Sequence, residues 1–233
     1  MTRILALDTS SEACSAALWL DGRCQAVFEQ TPRQHTKLLL PMVAKLLADA
    51  GISLAQLDAI AFGRGPGSFT GLRICAGVAQ GLAFGADLPL LPVSTLAALA
   101  DEVLQQQPAD GVLAALDARM NEIYWAYYRR DGQQLALVGE ERVSAAADLT
   151  LPAAIDLAGG RWLGTGSGWQ FADQMPAAVR AAVRELDRDR QPAAAAMARL
   201  AAIAFEQGAA LAPEQAQPLY LRDNVALKKS ERR

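Results

Sequence analysis

One histidine, His35, and three cysteines, Cys14, Cys24 and Cys75, are the whole supply of imidazole and thiol in 233 residues. A single imidazole excludes a zinc centre of the His₃ or His₂Glu kind within the chain. No two cysteines stand at C-x-x-C spacing, so neither a zinc ribbon nor a thioredoxin-type pair is encoded. An odd thiol count reads as reduced and cytoplasmic. A basic excess is also missing: 22 Lys and Arg stand against 25 Asp and Glu, for a net charge of −3. That balance argues against a chain that grips nucleic acid by itself, because phosphate neutralisation needs clustered cations. Long apolar runs are absent as well. Ile4-Leu5-Ala6-Leu7 is interrupted at once by Asp8, which makes neither a signal peptide nor a membrane anchor, and the Ala-rich stretch 193–205 contains Arg199. A soluble, cytoplasmic protein is expected. The ending Lys228-Lys229-Ser230-Glu231-Arg232-Arg233 reads as a solvated basic tail, with contact to an acidic partner or RNA as the other reading.

What is present is apolar and small: 52% of the letters are hydrophobic, and roughly a fifth are alanine, which favours helix. At about 150 residues per domain, one or two compact units are expected. A repeat organises them. Residues 3–29 read as a strand, Asp8, a strand, an Asp21-Gly22 turn and another strand; residues 111–140 read as a strand, Asp117, a strand, an Asp131-Gly132 turn and another strand. From carboxylate to turn is 13 residues in the first half and 14 in the second. Matching order and spacing suggest two lobes of one ancestral plan. The boundary falls near the polar stretch 105–110, giving units 1–106 and 107–233. Helices are expected over 34–50, 70–85, 145–157, 176–184 and about 192–207, with strands at 57–63 and 161–163. Such α/β lobes, each with an Asp after its first strand, form the plan of the actin-like, sugar-kinase and heat-shock ATPase class, by analogy of fold alone.

The most distinctive segment is Gly63-Arg64-Gly65-Pro66-Gly67-Ser68-Phe69-Thr70-Gly71-Leu72-Arg73. Its glycines permit close backbone approach, and Ser68 or Thr70 can cap the following helix. A tight strand-to-helix turn and an anion-binding turn both fit. It is no Walker loop, since the Lys and the spacing of that motif are missing. Leu163-Gly164-Thr165-Gly166-Ser167-Gly168 reads as a structural turn, with a phosphate or adenosine loop as the alternative.

Together with Ile4-Leu5-Ala6-Leu7-Asp8-Thr9-Ser10, Val93-Ser94-Thr95-Leu96, Leu116-Asp117-Ala118-Arg119-Met120 and Pro218-Leu219-Tyr220-Leu221-Arg222, this block closely resembles the bacterial TsaB (YeaZ) family over nearly the whole chain. The resemblance implies a non-catalytic subunit of the machinery that places a threonylcarbamoyl group on N6 of adenosine 37 in tRNAs reading ANN codons. It implies pairing with the catalytic paralogue TsaD, a TsaE-like ATPase as third member, and TsaC as the separate source of the threonylcarbamoyl-adenylate. A homodimer is expected without the partner, and tRNA contact only through the complex. The paralogue carries a V-N-H-x-E-G-H type motif with two metal-binding His; in register, this chain has Thr95 and Leu99 there, so no metal is expected. No cofactor is assigned, and the complex junction is left open to ATP or ADP. Asp8-Thr9-Ser10 and Asp117-Ala118-Arg119 lack the Gly that brings such turns onto phosphate. Asp8, Thr9, Ser10, Asp117, Gly164 and Gly166 are therefore only a weak nucleotide set, beside the Gly-rich turn residues Gly63, Gly65, Gly67, Ser68 and Thr70. A metal-independent peptidase-like hydrolase and a degenerate kinase are the alternatives to the assembly role.

His35 lies in the first turn of a predicted helix and reads as a surface or capping residue; Cys75 reads as a small buried hydrophobe. The helices 34–50 and 70–85 are apolar over wide arcs, which suggests a sheet on one side and another chain on the other. Leu39, Met42, Val43, Leu46, Leu72, Ala76, Ala79 and Ala83 are the expected partner contacts.

Overall fold

The computed structural model describes residues 2–132, 134–152 and 160–222. Its first sheet starts as an antiparallel meander of β1 (Arg3–Asp8), β2 (Ala13–Leu20) and β3 (Arg23–Gln30). Between β2 and β3, Asp21 at φ 49° and Gly22 at φ 87° adopt the left-handed conformation that a two-residue hairpin turn requires. After α1 (His35–Ala50), β4 (Ala59–Gly65) pairs with β1 in parallel; after α2 (Phe69–Ala86), β5 (Leu90–Ser94) pairs with β4 in parallel. No loop separates β5 from α3 (Thr95–Gln106): Ser94 ends the strand and caps the helix, its Oγ accepting the Ala97 N–H at 3.1 Å.

The second sheet repeats this construction with β6 (Gly111–Arg119), β7 (Glu122–Asp131), β8 (Gln134–Ala145), β9 (Trp162–Thr165), α4 (Ala177–Ala182), β10 (Val183–Asp187) and α5 (Ala194–Glu206). The sheet orders are β3-β2-β1-β4-β5 and β8-β7-β6-β9-β10, with the same parallel and antiparallel senses at each equivalent pair. The repeat read around Asp8 and Asp117 is thus a repeat of topology, and the chain has the duplicated two-lobed α/β plan of the actin-like, sugar-kinase and heat-shock ATPase class.

Strand alternation divides the first sheet between two layers. Leu5, Leu7, Leu18, Ile60 and Phe62 face α1 and α2, while Ile4, Ala6, Ala59, Ala61 and Val93 face α5. The last helices of the two repeats are exchanged: α5 covers the first sheet, and α3 packs Leu96, Leu99, Val103 and Leu104 onto the second. Where they meet, Arg199 of α5 pairs with the buried Asp101 of α3.

Two expected helices differ. At 145–157, β8 continues to Ala145, Ala146–Asp148 is a single 3-10 turn, residues 149–152 are irregular, and residues 153–157 lie outside the described part. At 176–184 the helix stops at Ala182, having buried only Val179 and Ala182, and the chain becomes β10, which gains a ladder along β9. The basic tail lies outside the described residues.

Candidate functional site

The segments following β1, β3, β4 and β9, together with the end of β6 and residues 219–222, line a cleft of about 980 Å³ between the lobes, the usual place for a ligand in sheets of this kind. The Gly-rich turn forms one wall, and its glycines answer to the turn at residues 8–10. A Cβ on Gly63 would lie 2.2 Å from Asp8 Oδ1, on Gly67 2.4 Å from the Ser10 carbonyl, and on Gly71 1.9 Å from the Thr9 carbonyl. Gly65, at φ 106°, leaves room for the Leu219 carbonyl, 2.9 Å from where its Cβ would be. Hydrogen bonds follow the close packing: Thr9 Oγ1 donates to the Gly71 carbonyl at 2.7 Å, and the Ser68 N–H donates to the Ser10 carbonyl at 2.7 Å. Ser68 Oγ then caps α2 by accepting the Gly71 N–H at 3.3 Å. Self-packing of the chain therefore accounts for the glycine spacing, with no ligand invoked.

Asp8 is fully buried. Its carboxylate accepts from the Ser10 N–H at 3.2 Å and Ser10 Oγ at 3.0 Å, yet burial outweighs these bonds and raises its pKa to about 7. Asp117 instead borders the cleft, accepting the Arg119 N–H at 2.7 Å while its own N–H donates to Ser167 Oγ at 3.1 Å. Arg119, Met120 and Asn121 all hold positive φ (64°, 57° and 61°), a strained left-handed turn braced by Arg222, which donates to the Arg119 carbonyl at 3.4 Å.

The weak nucleotide set is split by these positions. Ser10 and Asp117 line the cleft; Asp8, Thr9, Gly164 and Gly166 are buried away from it. Gly164 lies inside β9 beneath Trp169, and Gly166 backs onto the Ala115 carbonyl, 2.3 Å from where its Cβ would be. Of the Gly-rich turn, Gly67, Ser68 and Thr70 line the cleft while Gly63 and Gly65 do not. His35 also lines it, its Nε2 3.0 Å from the Ser11 carbonyl. Cys75 is buried, its thiol donates to the Leu7 carbonyl at 3.2 Å, and burial pushes its pKa well up, far from a thiolate nucleophile. Thr95 and Leu99 are fully buried, and Leu99 packs against Gly166. Among the described residues no cluster of three or more His, Cys, Asp or Glu could hold a metal.

The expected partner contacts need correcting. Leu39, Met42, Val43, Leu46, Ala76, Ala79 and Ala83 are buried in the core beneath the first sheet, and Leu72 is buried beside Gly65 at the cleft, so all eight are already covered by this chain. The outward face of α2 carries Arg73, Gly77, Gly81, Phe84 and Gly85, with Ile74, Val78 and Leu82 half-buried beside them, and α1 adds Leu40. A Cβ at Gly77, Gly81 or Gly85 would meet nothing within 4 Å among the described residues. The glycine repeat was legible, but reading the helix by its apolar letters passed over it. Phe69, Arg73 and Tyr220 were missed too: Phe69 and Tyr220 line the cleft, and the exposed Arg73 lies 3.8 Å over the Phe69 ring and donates to Tyr220 Oη at 3.3 Å.

Comparison with known proteins supplies the rest. The family described as TsaD, tRNA N6-adenosine threonylcarbamoyltransferase, matches residues 27–230. The tRNA threonylcarbamoyladenosine biosynthesis protein TsaB of Escherichia coli (strain K12) is 45% identical over 227 residues, covering 97% of each chain. Its namesake in Haemophilus influenzae is 40% identical over 239 residues, 97% of this chain and 96% of that one. The solved structure of YeaZ from Pseudomonas aeruginosa superposes with a TM-score of 0.88 at 45% identity, covering 95% of this chain and 100% of the other.

Proposed function

Since the chain belongs to the TsaB (YeaZ) family and has a part in forming threonylcarbamoyladenosine on tRNA, we propose that it acts there as a non-catalytic assembly subunit. In this reading it binds and supports a TsaD-like catalytic subunit, with a TsaE-like ATPase joining the pair and TsaC supplying the donor. It meets tRNA, at adenosine 37, only through the complex, in the cytoplasm; among the described residues no helix is long and apolar enough to cross a membrane.

The observation that carries the proposal is the glycine stripe of α2. Gly77, Gly81 and Gly85 recur every fourth residue on the solvent face of a helix, and among the described residues nothing packs where their Cβ atoms would be. Each glycine in a helix interior costs about 1 kcal/mol relative to alanine. Among the described residues no turn, positive φ or internal contact accounts for that cost, whereas close approach of a second helix does. Phe84, 63% exposed, stands beside the stripe as an apolar anchor. Without the partner, a second copy fits the same face: antiparallel α2 helices centred between Gly77 and Gly81 would bring Arg73 of one copy beside Phe84 of the other. The hydrolase and kinase readings find less support, for Asp8 is buried, Thr95 and Leu99 are enclosed, and the glycines at 63, 67 and 71 are occupied by the chain itself. ATP or ADP, if bound, belongs at the junction with the partner. We likewise infer that 1–106 and 107–233 are the two units of the duplication, with α3 and α5 exchanged between their cores.

Depleting the protein and measuring tRNA nucleosides by mass tests the role: persistence of threonylcarbamoyladenosine overturns it. Complementing the depleted cells with G77L/G81L tests the surface. Leucine in these open helical positions raises stability by about 0.8 kcal/mol each, so the variant is expected to melt higher, run as a monomer and fail to restore the modification. Co-purification with the TsaD-like partner at parental yield would remove α2 from the interface.

A further inference from the structure

Two irregularities in the sheets face each other across the lobes. On β4 the pairing with β5 skips Arg64, since Gly63 opposes Val93 and Gly65 opposes Ser94. On β8 the pairing with β7 skips residues 139–141, since Tyr127 opposes Val138 and Trp125 opposes Arg142. Gly139, at φ 84°, makes the turn out of register. Bulges re-aim side chains, and these two aim opposite charges at one point. Arg64 Nη2 donates to Glu141 Oε2 at 3.0 Å. Glu141 Oε1 accepts from Tyr128 Oη at 2.8 Å and from Ser94 Oγ, the residue that caps α3. The donors thus come from β4 and the β5–α3 junction of the first sheet and from β7 of the second. A further limb reaches the carboxyl-terminal segment, whose Leu219 N–H donates to the Arg64 carbonyl at 2.7 Å.

The Glu141 side chain is only 6% exposed and that of Arg64 28%. None of Arg64, Ser94, Tyr128 and Glu141 lines the interlobe cleft or the cavity of about 450 Å³ beside β3. What the cluster joins is one part of the chain to another. A buried carboxylate with several donors and a cation is costly to break, because removing one partner leaves the other charge uncompensated.

We infer that Glu141 is an interlobe latch, holding the β7–β8 hairpin against the root of the Gly-rich turn and fixing the angle between the two lobes. The turn that leads into α2 is then braced from both lobes, and the α2 face reaches any partner as part of one rigid body. This inference concerns the chain by itself and stands whether or not the assembly role holds.

A double-mutant cycle on the full chain tests it, with E141Q, R64M and the pair combined. Spin labels on Cys24, the exposed thiol on β3, and on a second thiol introduced by L137C on β8 read the distance between the sheets; Cys14 and Cys75 are buried. The parent is expected to give one narrow distribution. Each single variant should broaden it about twofold and speed amide exchange over residues 64–71 about tenfold, as local opening becomes easier. The double variant should be no worse than the worse single. If E141Q does not fold, R64M carries the test, since it leaves the donors from Ser94 and Tyr128 in place. Unchanged distributions and exchange in the single variants, or effects that multiply in the double, would overturn the latch.

Discussion

Asp8 and Asp117 stand at equivalent places in the two repeated sheets, yet the first is fully buried and the second keeps 18% of its side chain open to the cleft. The turn after Asp8 is closed by glycines 63, 67 and 71, whose missing side chains let residues 8–10 nest against the start of α2. The turn after Asp117 has no such cover and instead passes through three left-handed residues at the cleft rim. In the first repeat the segment between its two last strands became an 18-residue helix with an open glycine face; in the second it is a 3-10 segment and the six-residue α4. Duplication thus gave two copies of one scaffold. The first was sealed around its carboxylate and presents a helix, while the second kept an open rim.

The sharpest way to break the comparison is G71A. Its Cβ would sit 1.9 Å from the Thr9 carbonyl, backbone against backbone, so the turn at 8–10 must part from α2. A loss of about 3 kcal/mol or more is expected, read from urea unfolding, with exchange at residues 8–10 and 68–72 losing its protection. G77A, six residues along the same helix, should gain about 1 kcal/mol. A neutral G71A would mean that the sealed turn is not what holds the first repeat together.

D8N comes next. Burial raises the folded pKa of Asp8 from 3.8 to about 7, so between those values the folded protein holds a proton that the unfolded chain has released. The contribution of this group is therefore full at low pH, falls as pH rises through about 7, and remains a penalty above it. Asparagine removes the charge in the same volume. D8N is expected to be more stable than the parent at pH 8 by on the order of 2 kcal/mol and to show a flatter stability profile between pH 5 and 8. D117N, at the equivalent position on the cleft rim, keeps an amide oxygen that can accept the Arg119 N–H and should change stability by no more than about 1 kcal/mol. A D8N protein that is less stable at pH 8 would show that the carboxylate is held charged.

Much of this contrast could be read in advance, and the parts that could not have physical reasons. The Asp21-Gly22 turn encodes its hairpin locally, because left-handed φ at both positions suits few other residue pairs. The placement of α2 followed from Ser68 and the apolar run behind it. β5 and α3 left little trace: Pro92 weakens a strand reading, and Ser94 ends one element while starting the next. The exchange of α3 and α5 between sheets is tertiary and has no local signature. On α1 and α2 the broad apolar arcs were plain, but both the core and a partner use apolar residues. Ala79 and Ala83 went to the sheet, where a close fit is needed, and the glycines, which meet nothing among the described residues, were left outside. A substitution such as Ala79→Glu would consequently report core disruption and not a partner surface.

The smallest expected effect separates two ion pairs that both reach across the lobes. Arg119 on the open rim lies 3.8 Å from Glu12 of the first lobe, but these side chains are 76% and 62% exposed. Arg64 and Glu141 are 28% and 6% exposed, and their carboxylate has further donors. Water screens the first pair and not the second, so R119A should cost no more than about 0.5 kcal/mol, and that only at low salt. Its label-to-label distance and its exchange rates over 64–71 should match the parent. If R119A loosened the lobes as far as R64M does, closure would depend on the charge at the rim, and burial would no longer distinguish the two contacts.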